Sequence, residues 1–241
     1  TVDNANLLGT TTSGKVTATI ATTETLTELA TLNADGGVND LTIAIRAEDD
    51  TATAEQLNAI DAATSLAVDA RAVTELSGSY SDLVTLYGSS GVTGLENENI
   101  TITGGSLTVT QANVIDALTT GVVTASIATT ETVDSLKTLT GTSNAYTIVI
   151  SETSASASDL NAINDLTTAT VDLTNVQSVT SSALSDLDTL STAINASPAQ
   201  FINATNLETS AVSDSEIDIT SSEATIAVSY THLTLPTIVS V

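Results

Sequence analysis

Residues 55–69 read EQLNAIDAATSLAVD, and residues 158–172 read SDLNAINDLTTATVD. Each copy begins with aliphatics three apart: Leu57 and Ile60 in the first, Leu160, Ile163 and Leu166 in the second. Residues at that spacing share one face of a helix. Each copy then passes into a short alternating run that ends on Asp69 or Asp172. Alternation with a period of two sends successive side chains to opposite faces of a strand. A one-sided helix followed closely by a strand predicts a β-α unit, and its recurrence predicts a repeat architecture.

Working outward, further blocks recur in the same order. TATIATTET at 17–25 returns as TASIATTET at 124–132, a shift of 124 − 17 = 107. The opening pair is shifted by 158 − 55 = 103, and SDLVTL at 81–86 returns as SDLDTL at 185–190, shifted by 185 − 81 = 104. The chain therefore carries an internal duplication. We divide it into an incomplete N-terminal segment 1–14, a first repeat 15–121 of four β-α coils, and a second, truncated repeat 122–227, followed by a tail 228–241.

A shorter period lies inside the long one. Strand-like segments start at Val16, Leu41, Leu66, Ile100, Val123, Tyr146 and Ala169, at spacings of 25, 25, 34, 23, 23 and 23 residues. Between them lie the three-apart aliphatics, such as Leu26, Leu29 and Leu32 or Leu184, Leu187 and Leu190. Thr53 with Gln56, and Ser156 with Asp159, read as capping boxes at helix starts. Strands joined through a helix run parallel. One such coil cannot bury its own apolar face, but stacked neighbours can. The expected fold is α/β: a repetitive β-α solenoid with one parallel sheet and one layer of short helices. The same elements also build tandem compact α/β domains of about a hundred residues each.

Composition narrows the function. The chain has 241 residues, 29 acidic and 4 basic side chains, and a formal net charge of −25. Lys15, Arg46, Arg71 and Lys137 cannot form a basic patch, which argues against nucleic acid and against an anionic membrane surface. No apolar run approaches the roughly 20 residues of a membrane helix, so membrane insertion is not expected. With no Cys, thiol nucleophiles, disulfides and thiolate metal sites are out. The expectation is that the protein is not an enzyme and needs no cofactor. Calcium is the one exception weighed. Asp35, Asn39, Asp40, Glu48, Asp49 and Asp50 crowd two turns with hard oxygens, as does LENEN at 95–99. Polar turns that keep the backbone solvated account for the same residues.

The phrases GVTGLENENITITG at 91–104, GVVTASIATTET at 121–132 and DLNAINDLTT at 159–168 resemble the repeats of very large cell-surface proteins of marine bacteria, cyanobacteria among them. That resemblance implies an extracellular or cell-surface location and a scaffold role in a surface layer, adhesion or motility. It implies as partners further repeats of the same chain and a cell envelope or external surface. Outward strand positions carry Thr17, Thr19, Thr42, Thr101, Thr103, Thr124, Thr147 and Thr170. This file of hydroxyls and methyls resembles the ladders of ice-binding solenoids, and it implies an alternative role: a module that engages ice, glycan or mineral through its sheet face, with calcium stabilising it. β-Branched residues on a solvent-facing sheet explain the pattern equally. The repeat length also invites comparison with leucine-rich repeats, but no Asn recurs at a fixed place after each strand. Finally, VSYTHLTLPT at 228–237 resembles a translated transposase sequencing adapter, and the only histidine, His232, lies within it. We therefore expect 228–241 to have no native role and the natural chain to run on past Ala227.

Overall fold

A computed structural model describes residues 1–33, 39–180, 182–204 and 207–209. Asp35, the tail 228–241 and His232 lie outside the described residues. The fold is α/β. The chain divides into two units, Thr1–Ser106 with Asn113–Ala125, and Leu107–Ala112 with Ser126–Val241.

The first unit opens with α1 (Val2–Thr11), β1 (Thr17–Thr19), α2 (Leu26–Leu29) and β2 (Asp40–Thr42). Then come β3 (Thr51–Thr53), α3 (Ala54–Ala62), β4 (Val68–Asp69), β5 (Glu75–Gly78) and α4 (Tyr80–Gly88). Next are β6 (Val92–Thr93), β7 (Asn99–Ile102), α5 (Val109–Asp116) and β8 (Val123–Ser126). The remaining elements are α6 (Val133–Leu136), β9 (Ala145–Val149), β10 (Ser154–Ala155), α7 (Ala157–Asn164), β11 (Val171–Asp172), β12 (Ser178–Val179), α8 (Leu184–Ile194), β13 (Phe201–Ile202) and β14 (Glu208–Thr209).

All seven strand-like segments of the sequence contain a strand, and the three-apart aliphatics lie on or beside α2 to α8. The expectation of a single sheet needs correction. Seven parallel strands form the longest sheet, in the order β13-β11-β9-β8-β7-β5-β3. The segments at Val16 and Leu41 pair instead as β1-β2, and the segment at Leu66 pairs as β4-β6, with a single parallel bridge from Ala44 to Asp69 between the two pairs. β10-β12-β14 forms another parallel sheet. The reason is a second strand in most coils. After β2, a turn closed by Asp49 N–H on the Arg46 carbonyl redirects the chain into β3. After β4, Val73 N–H on the Ala70 carbonyl does the same before β5. Only a few residues intervene, so the two strands of a coil cannot lie side by side in parallel within one sheet; a parallel partner needs a crossover of a dozen residues or more.

Helix faces and strand faces bury their apolar side chains against one another. Ala54, Leu57 and Ile60 of α3 are fully buried, as are Ala157, Leu160 and Ile163 of α7. Leu41, Ile43 and Ile45 point inward from the β2 segment while Thr42 is exposed. Thr53 and Gln56 form the full capping box on α3, and Thr25 and Glu28 form another on α2. Ser156 caps α7 through the Asp159 N–H alone.

Coils are also stitched by side chains reaching one coil back. A helix leaves its first N–H groups without an intrahelical partner. Asp49 accepts from Leu26 N–H at 2.7 Å, and Glu152 accepts from Val133 N–H at 2.7 Å. Glu131 takes Val109 N–H, and Ser182 takes Ala157 N–H. Buried Thr64 and Thr167 do the corresponding work for strands. Thr64 Oγ1 accepts from Leu41 N–H, and Thr167 Oγ1 accepts from Tyr146 N–H, each at 2.9 Å.

Candidate functional site

The oxygen-rich turns serve the fold. Asn39 is buried and its Oδ1 accepts from Val16 N–H. Asp40 pairs with Lys15 at 2.6 Å and accepts from Ser65 Oγ. Those contacts hold its carboxyl below the usual range, the Lys15 hydrogen bond most of all. Asp49 takes both arms of the Arg46 guanidinium, at 2.9 and 3.0 Å, besides the α2 N–H. Asp50 accepts from the Thr51 hydroxyl, and Glu48 is exposed. Among the described residues no group of three or more His, Cys, Asp or Glu is placed to share a metal ion.

LENEN is likewise committed. Glu98 is fully buried; one oxygen accepts from Tyr87 Oη at 2.7 Å and the other from Glu96 N–H at 2.8 Å. Burial, reinforced by Glu98, pushes the Tyr87 phenol well above its ordinary value, so it stays a donor. Asp69 and Asp172, which match across the duplication, each accept from the N–H two residues on, at Arg71 and Thr174. They close the same turn in both repeats.

The eight candidate threonines are all exposed. Thr17, Thr19 and Thr42 belong to β1 and β2, with Thr19 directly opposite Thr42. Thr101 and Thr124 lie opposite each other on β7 and β8, and the file continues through Ser77 to Thr53 on β5 and β3. Four hydroxyls thus sit one strand apart, at a spacing of about 4.8 Å. Thr103 lies just past β7, Thr147 is on β9, and Thr170 immediately precedes β11. The threonines therefore do not form one ladder. Ser77 and Thr53 belong to strands that the sequence reading missed, because TAT at 51–53 and ELSG at 75–78 each carry a single apolar side chain, Ala52 or Leu76, and so show no alternation.

A concave site lies in the second unit. A cavity of about 290 Å³ is lined by Asn161, Asn164, Asp165, Asp188, Thr192 and Gln200, among others. A neighbouring hollow of about 520 Å³ shares Asn164, Asp165 and Gln200 and extends over 167–170 and 196–200. Asn161 Nδ2 donates to the Asp186 carbonyl, whereas its buried Oδ1 has no hydrogen-bond partner among the described residues. Counting from Val171 to its partner Phe201 gives 30 residues, against 92 − 68 = 24 between the partners Val68 and Val92. That difference was available in the sequence as an insertion after α8.

No protein-family model matches the chain, and neither a curated protein nor a solved structure matches it.

Proposed function

We propose that this chain is a non-catalytic structural repeat region of a giant secreted or cell-surface protein, a scaffold for a surface layer, adhesion or motility. Its β-α coils would continue as a solenoid, with further repeats of the same chain as the principal partners and a cell envelope or external surface beyond them. The observation that carries the reading is the recurrence of the same coil-to-coil bond in both repeats. Asn58 Nδ2 donates to the Asp82 carbonyl at 3.0 Å, and Asn161 Nδ2 to the Asp186 carbonyl at 2.9 Å. A scaffold that grows by adding coils needs each coil to offer the next the same donors and acceptors. The test is surface accessibility. Antibodies raised against the purified chain should label intact cells of the source organism, and external protease should remove the signal. Labelling only after permeabilisation would overturn the location. Small-angle scattering giving a particle no longer than a single globule of this mass would overturn the solenoid.

A second reading rests on the file of Thr53, Ser77, Thr101 and Thr124, half-buried at its first two members and exposed at Thr101 and Thr124, which supports a module that binds ice, glycan or mineral. Replacing Thr101 and Thr124 by Lys should abolish such binding while leaving the melting temperature within about 2 °C, since exposed sheet positions tolerate most side chains. Unchanged adsorption to ice, glycan and mineral would end this reading.

A further inference from the structure

We infer that the cavity between α7, α8 and the inserted return 195–200 binds a neutral, hydroxyl-rich ligand, a single sugar unit of a glycan. Three observations converge. The return beside the site differs between the two copies of the duplication. In the first repeat the corresponding return is short: Ser89 Oγ donates to Asp61 at 2.7 Å, and Gly91 lies so close that a Cβ there would fall 1.7 Å from Asp61 Oδ1. In the second repeat Asn164 stands at the place of Asp61, and its Nδ2 reaches across the longer return to Gln200 Oε1 at 3.0 Å. The space that Ser89 and Gly91 close in one repeat is open in the other.

The lining has changed with it. The blocks aligned by shifts of 103 and 104 place Asp165 where the first repeat has Ala62, and Asp188 where it has Val84. Two apolar side chains have become carboxylates, and neither carboxylate is in an ion pair among the described residues. Beside them lies Asn161, whose buried Oδ1 is an acceptor with no donor among the described residues. A buried acceptor left unpaired costs free energy that a donating ligand recovers.

The lining also selects the chemistry. Acceptors come from Asp165, Asp188 and Asn161, and donors from the Thr192 hydroxyl and the Gln200 amide. A bare cation uses acceptors alone. A polyol both donates and accepts at every hydroxyl, and it matches the mixture. The cavity volume of about 290 Å³ exceeds what one ion needs and sits at the small end of ligand pockets. Among the described residues no aromatic ring lines it, so affinity rests on hydrogen bonds and should be about millimolar.

The test is a titration of the full 241-residue chain, labelled for amide NMR, with methyl glycosides of glucose, galactose and mannose, and separately with calcium chloride. The expected result is saturable shifts from at least one glycoside at Asn161, Asp188, Thr192 and Gln200. Asp188→Val copies the residue of the first repeat and should fold; it should weaken the glycoside by about tenfold. Asp165→Ala should weaken it in the same direction. Saturable shifts centred elsewhere, no saturation with any glycoside, or shifts at these residues from calcium alone would each overturn the proposal. So would unchanged affinity in both folded variants.

Discussion

The α3–β4–α4 stretch of the first repeat and the α7–β11–α8 stretch of the second share a plan and differ at one joint. Their helix faces correspond, with Ala54, Leu57 and Ile60 matched by Ala157, Leu160 and Ile163, all fully buried. Their buried threonines perform the same bond to the preceding coil. At the return after the second helix, however, one chain closes tightly on Ser89 and Gly91 while the other runs six residues longer, 30 − 24 = 6. The strands beyond each return nevertheless stay parallel to the strand before it. The insertion is thus absorbed at the surface, where a longer loop costs little closure entropy. Core side chains and coil-to-coil bonds are the parts that both repeats keep.

That comparison breaks most readily in the core. Leu57→Ala and Leu160→Ala should each cost about 2–5 kcal/mol, because each truncates a fully buried leucine. Urea unfolding should give equal losses within about 1 kcal/mol; a large disparity would mean the two repeats do not share a packing plan. Next in size is the threonine stitch. Thr64→Val and Thr167→Val leave Leu41 N–H and Tyr146 N–H without their acceptor and should each cost about 1–3 kcal/mol. At about 2–4 °C per kcal/mol for a chain of this size, calorimetry resolves both, and a neutral effect in either would remove that stitch from the account.

Smaller again is the cap that reaches back from the next coil. Asp49 and Glu152 are aligned by the shift of 103 and each caps a helix one coil back. Only Asp49 has an arginine. The Arg46 hydrogen bonds hold the Asp49 carboxyl below its ordinary value, outweighing the desolvation that opposes them. A carboxyl lowered in the folded state contributes stability above its unfolded value, near pH 4, and loses it as pH falls through the folded value. Asp49→Asn should therefore lower the melting temperature at pH 7, and the difference from the parent chain should shrink below pH 4. A difference constant from pH 7 to pH 3 would remove the ion pair from the explanation. The smallest effect concerns the charge of −25. Added salt shortens the range of self-repulsion to about 8 Å at physiological ionic strength and should raise the melting temperature by a few degrees. Calcium exceeding sodium at matched ionic strength would identify specific sites; equal effects would leave screening alone.

The sequence by itself determined the elements. Aliphatics three apart mark α2 to α8, and alternating runs mark the strands at Val16, Leu41, Leu66, Ile100, Val123, Tyr146 and Ala169, because a buried face leaves its period in the chain. It also exposed the duplication and the outward threonines. Tertiary structure decided which strands share a sheet. β1 and β8 carry matching residues, yet β1 pairs with β2 while β8 lies between β7 and β9. Local alternation is the same whichever neighbour a strand meets. The second strand of a coil was hidden for a related reason. Thr51–Thr53 and Glu75–Gly78 each hold one apolar side chain and show no period, and they exist as strands through bonds to residues some 24 positions away. The carboxylates look alike in sequence; only folding assigns Asp49 to a helix end, Asp69 to a turn and Asp188 to an open cavity, because those roles are set by which distant N–H group or guanidinium each oxygen reaches.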